Sequence, residues 1–147
     1  MAGTIRAARA QSGGTGRRVN LLDENFPEDQ RPLLQECRIP FRQIGREFSH
    51  SGVKDPDIIS LLHRQRRVTF FTLDKDFFER SLCHTTYGMA FLDVRADDAA
   101  HFVRRFLRHA RFNSEAKRMG IVARVHHDGI HFWQRNRAAL QSVGWAG

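Results

Sequence analysis

Short apolar runs alternate along the chain with amphipathic stretches, and most changeovers carry a turn-forming or charged residue. "VNLL" (19–22) is brief and strand-like, and Asp23 closes it. "PEDQRPLLQECR" (27–38) predicts a helix, with Pro27 suited to its first turn and Glu28 and Asp29 near its positive end. Pro32 fits that helix only if it too lies near the first turn. "IPFRQIG" (39–45) predicts a second strand and "REFSHSGVK" (46–54) a loop. "DPDIISLLHRQRR" (55–67) predicts a helix, with Asp55 as candidate N-cap and Pro56 at the first position. Ile58, Ile59, Leu61 and Leu62 supply its buried face.

"VTFFTL" (68–73) is apolar almost throughout, as a central parallel strand covered on both faces would be. "DKDFFERSL" (74–82) predicts a short helix and "GMAFLDV" (88–94) a fourth strand. Ala99, Phe102, Val103, Phe106, Leu107 and Ala110 then recur at helical spacing, with Asp97 and Asp98 at the start. Arg104, Arg105, Arg108 and Arg111 share the opposite face. "GIVARVHHDGIHFWQ" (120–134) predicts a hairpin, with Asp128-Gly129 as its turn pair. Strands alternating with helices predict an α/β domain over 19–147, built on a mainly parallel sheet.

Composition narrows the partners. The chain has 147 residues, enough for one domain, and 41% of them are hydrophobic. No stretch approaches the length of a membrane span. The formal net charge is +8, carried almost entirely by arginine, whose planar fork suits phosphate, so RNA or DNA is the first partner to consider. Cys37 and Cys83 lack CxxC spacing and predict reduced, buried thiols of a cytoplasmic protein, with neither a disulfide framework nor a metal site. The acid-free stretch "MAGTIRAARAQSGGTGRR" (1–18) predicts a disordered basic tail.

Against that charge, the acids are oddly placed. Ligands of an open parallel sheet bind beyond the carboxyl ends of its strands. Asp23 lies at that end of the first strand, and Asp74 and Asp76 at that end of the third. A right-handed crossover can bring Asp55 to the same rim. Four carboxylates so gathered would repel one another without a cation, and hard oxygen donors suit Mg²⁺ or Mn²⁺. Such an ion lowers the pKa of a bound water and offsets charge on a phosphate, which is nuclease chemistry.

Plainer roles compete for several of these residues. Asp55 serves equally as an N-cap, Asp57 as a solvated first-turn acid and Asp76 as a helix-start acid. Asp93 is a further ligand candidate, although pairing with Arg95 is the preferred reading. Asp23 has no turn or cap to explain it. The histidines form no ligand pattern: His126 and His127 are neighbours on one strand and so face opposite ways, and His50, His63 and His84 lack helical spacing. His101 and His109 extend the arginine face. Trp133 and Trp145 are expected to pack against the sheet in preference to stacking on bases.

"LLDENFP", "SGVKDPDII" and "TLDKDF", in that order, resemble the motifs of short PIN-like domain proteins of toxin–antitoxin character. The resemblance implies a PIN-like three-layer α/β/α fold and a Mg²⁺-dependent ribonuclease. Its site would comprise Asp23, Asp55, Asp74 and Asp76, with Glu24 and Asn25 beside the first. It also implies a small cognate antitoxin over the site, and often a homodimer. Asp57 stands where such proteins often carry Glu, leaving open which of Asp55 and Asp57 faces the metal. Two other readings remain: a PIN-like module that binds RNA without cutting it, and a phosphatase of the haloacid-dehalogenase type. The second expects its Asp-x-Asp pair on the first strand, whereas "DKD" follows the third.

Overall fold

Two-residue periodicity sorts the strand side chains onto two faces of one sheet, and each face has its own helical cover. The computed structural model describes residues 20–46 and 55–146. Its strands are β1 (Asn20–Leu22), β2 (Phe41–Gln43), β3 (Val68–Thr72), β4 (Tyr87–Leu92), β5 (Ile121–His126), β6 (Gly129–Gln134) and β7 (Gln141–Val143). They lie in the order β2-β1-β3-β4-β5-β6-β7, parallel from β2 to β5 and antiparallel from there on. Leu21, Phe70, Met89 and Val122 face α2 (Asp55–Arg64), which contributes Ile58, Leu61 and Leu62. Leu22, Phe71, Ala90 and Ala123 face α1 (Arg31–Glu36) and α3 (Ala99–Arg108), which contribute Leu34, Phe102, Val103 and Phe106. The expected α/β architecture with a mainly parallel sheet is therefore present, and so is the hairpin β5–β6. Among the described residues no helix is long and apolar enough to cross a membrane.

The strand order fixes where a ligand would sit. From β1 the chain passes to β2 on one side, then returns across β1 to β3 on the other. The gap between the carboxyl ends of β1 and β3 is thus the topological switch point, where open α/β sheets bind their ligands.

Several local expectations change. Pro27 precedes a 3₁₀ turn (Glu28–Gln30), and α1 starts afresh at Arg31 with Pro32 in its first turn, where a missing N–H is harmless. Residues 74–82 form two 3₁₀ turns, Lys75–Phe77 and Arg80–Leu82, in place of one helix. α3 stops at Arg108 because His109 is extended, which leaves Ala110 exposed and carries Arg111 off the helix. Asp97 and Asp98 fall in a preceding 3₁₀ turn without capping α3; the buried Gln30 does so from outside, its Oε1 accepting from the Ala100 N–H at 3.0 Å.

At the hairpin, His126 pairs with Gly129, so the two-residue loop is His127–Asp128 and the two histidines do not share a strand. Gly129 belongs to β6 at φ +150°, and a Cβ there would stand 2.3 Å from the Val143 carbonyl oxygen, so glycine is what lets β7 close. β7 itself has no apolar run to announce it: its residues, QSV, lie half-buried or exposed at the sheet edge. Cys37 is exposed, against expectation, because it caps an α1 whose only buried residue is Leu34; Cys83 is half-buried, and burial pushes its thiol up. Trp145 packs against the α3-side core, as expected. The tail (1–18) and nearly all of the 46–54 loop lie outside the described residues.

Candidate functional site

Asp23 stands at the switch point. Its backbone N–H donates to the Phe71 carbonyl at 2.9 Å, extending the β1–β3 ladder by one residue beyond Leu22. The side chain is buried, at 8% exposure, where a carboxylate needs hydrogen-bond donors to be tolerated. Two donors are in place. The Thr72 hydroxyl donates to Oδ2 at 2.7 Å, and the Glu24 N–H donates to Oδ1 at 2.8 Å. Thr72 Oγ1 in turn accepts from the Asp74 N–H at 3.0 Å. One hydroxyl thereby ties the acid after β1 to the turn that carries Asp74.

The loop after β1 is held from the other side by Gln43 of β2. Its Nε2 donates to the carbonyls of Asp23, Glu24 and Phe26 at 3.0, 3.1 and 3.2 Å, while its Oε1 accepts from Arg31 Nη1 at 2.6 Å. Thr72 and Gln43 were not singled out from the sequence. The available signal was faint: a hydroxyl one residue before "LD", and a polar residue in an otherwise ordinary short strand.

The remaining candidates divide. Asp74 is half-buried and caps its own turn, Oδ1 accepting from the Asp76 N–H at 2.9 Å. Asp76 is exposed, consistent with the helix-start role weighed for it. Asp55 is the first residue of α2, and its side chain lies outside the described residues; Asp57 is exposed. Asp93 does not pair with Arg95. It accepts from Arg124 at 2.8 Å, because β4 and β5 are parallel neighbours and Asp93 N–H bonds Val125 O, whereas Arg95 turns to Asp97 at 3.5 Å. Asp23 and Asp74 are thus joined through Thr72, and their hard oxygens are the donor type that Mg²⁺ or Mn²⁺ takes. Among the described residues no three of His, Cys, Asp and Glu stand together as a ready metal cluster.

Two histidine groups flank the sheet on the α2 face. Arg124 Nη1 bonds His131 Nδ1 at 2.9 Å, and the His126 and His131 rings lie 4.7 Å apart. His126 Nδ1 accepts from the Asp128 N–H at 3.3 Å, which assigns its proton to Nε2, a buried atom without a partner among the described residues. Elsewhere the rings of His84, His63 and Tyr87 cluster, His84 lying 4.2 Å from His63 and 5.4 Å from Tyr87, with His63 and Tyr87 5.6 Å apart. Burial lowers both the His84 and the His126 pKa below the usual 6.5, reinforced by His63 and Arg135 at the first, and by Arg124 and His131 at the second against the opposing pull of Asp128 and Asp93. The unfolded chain then takes up protons before the folded one does. Stability is expected to be full above about pH 6.5 and to fall as the pH drops through that value. Urea unfolding at pH 7.5 and 5.5 measures it, and His84→Gln with His126→Asn should shrink the difference. An equal pH response in parent and double variant would refute this.

Compared with protein-family models, curated proteins and solved structures, the chain matches none.

Proposed function

We propose that the chain is a Mg²⁺- or Mn²⁺-dependent ribonuclease of the PIN-like type, the toxin half of a toxin–antitoxin pair. The observation that carries this reading is the position of Asp23: a buried carboxylate at the switch point of a parallel sheet, aimed by a threonine hydroxyl and a backbone N–H. Asp23 and Asp74 would hold the ion, with Asp55 and Asp76 as further oxygen donors. When bound, the ion supplies a water of lowered pKa and positive charge against the phosphate. The chain's own residues do the positioning. Thr72 and the Glu24 N–H fix the Asp23 carboxylate, Gln43 fixes the loop that carries it, and the arginine surface attracts a polyanion. A small antitoxin covering this rim, and a second copy of the chain, are the protein partners the motifs imply.

One observation favours a second reading, a domain that binds RNA without cutting it. Asp74 caps its own turn and Asp76 is exposed, which an ordinary turn would also produce. End-labelled single-stranded RNA incubated with the full chain separates the two. Cleavage in Mn²⁺ or Mg²⁺ that stops on adding EDTA is expected. Retention of intact RNA on the protein under every metal tested would leave only the binding module.

A further inference from the structure

A cluster of positive charge sits on α3, a different element from those that carry Asp23 and Asp74. Arg104 and Arg108 form an i, i+4 pair on α3, with Arg105 beside them and His109 just past the helix end. With Trp145 they line a hollow of about 210 Å³. Like charges at that spacing destabilise a helix, and among the described residues no carboxylate pairs with any of these three arginines. Arg104 Nε is buried with no acceptor among the described residues. The wall is firm: the Arg105 guanidinium lies 4.2 Å from the Trp145 ring centroid, and His109 Nε2 bonds the Gly144 carbonyl at 2.8 Å.

A second hollow of about 330 Å³ adjoins the first, sharing Ala110 and adding Arg111 and Lys117. Neither is large beside the roughly 300–1,000 Å³ of small-molecule pockets. Side by side they make a basic track that suits a polymer held phosphate by phosphate.

We propose that this α3 surface is a phosphate-holding track for single-stranded RNA. It builds on the ribonuclease reading by saying where the RNA backbone is gripped, yet it requires no cleavage, so the two can fail separately.

The test is fluorescence anisotropy of a labelled single-stranded RNA with the full chain in EDTA. For Arg104→Gln/Arg105→Gln/Arg108→Gln, affinity is expected to fall at least ~10-fold near physiological salt. The slope of log K against log salt should shrink by about 2, three phosphates at ~0.7 each. The triple Lys variant should keep most of that slope, since each charge remains. Arg108→Glu, a reversal at an exposed position with no carboxylate partner among the described residues, should weaken binding without disturbing the fold. Arg64→Gln/Arg66→Gln/Arg137→Gln, elsewhere on the surface, should change little. Parent-like binding by the α3 variant, or an equal loss in the control triple, overturns the proposal. So does loss of polyglutamate binding while RNA binding persists, which would assign the surface to an acidic protein. A parent that binds through α3 but never cuts would overturn the nuclease and leave the track standing.

Discussion

Asp23→Asn is expected to lower Mn²⁺-dependent RNA cleavage by more than ~100-fold while the protein stays folded. Changing partners that merely support a metal ligand typically costs 10–100-fold, and removing a ligand's charge should cost at least as much. Asparagine keeps the volume and an oxygen for the Glu24 N–H, so that hydrogen bond survives. Its amide group replaces a buried carboxylate, which relieves desolvation and offsets part of the loss at Thr72. Unfolding free energy should therefore move by about 1 kcal/mol or less, either way. RNA binding in EDTA should not change. Thr72→Val provides the complementary case: it retains the charge at Asp23 but removes the hydroxyl that aims it, and a ~10-fold loss of cleavage is expected. If Thr72 acts only through Asp23, the double variant is no worse than Asp23→Asn alone. Cleavage by Asp23→Asn at the parent's rate would show that the rim is not the catalytic site.

What could be read from the sequence was whatever depends on near neighbours. The apolar run at 68–73 and the spacing of Phe102, Val103 and Phe106 gave a central strand and a packed helix, because burial follows local periodicity. Asp23 stood out because an acid ended a buried strand with no turn expected there; the structure supplies one, since the Phe26 N–H donates to the Asp23 carbonyl at 3.0 Å. Non-local pairing was not legible. Asp93 meets Arg124, 31 residues away, because β4 and β5 are neighbours, and nothing in "AFLDVR" discloses that. Gln30 caps α3 across 70 residues for the same reason. Thr72 and Gln43 became site residues only once strand order set β3 and β2 on either side of β1. Short elements were the other blind spot, since three residues of β7 or of a 3₁₀ turn are too few to show a period.

Gln43 carries the second large effect: Gln43→Leu is expected to reduce unfolding free energy by about 2–4 kcal/mol. The residue is 1% exposed, and its two N–H groups are shared among three carbonyls of the loop that carries Asp23. Leucine fills nearly the same space, so little of the cost comes from a cavity. It comes from carbonyls that lose their donor, at about 1–3 kcal/mol for each buried group left unsatisfied. The loop should then loosen, and cleavage should fall with it. Gln43→Glu separates the donor from the rest. It keeps the volume and an oxygen toward Arg31 but places a negative charge among the same carbonyls. Burial and the three carbonyls raise the folded-state pKa of that glutamate, against the opposing pull of Arg31, and protonation would restore one donor. Relative to the parent at each pH, this variant should then be weakest near pH 7 and recover toward pH 5. Urea denaturation of parent, Gln43→Leu and Gln43→Glu at both pH values reads all of this directly. A Gln43→Leu midpoint equal to the parent's would mean that the loop, and with it the aim of Asp23, is held by something other than this side chain.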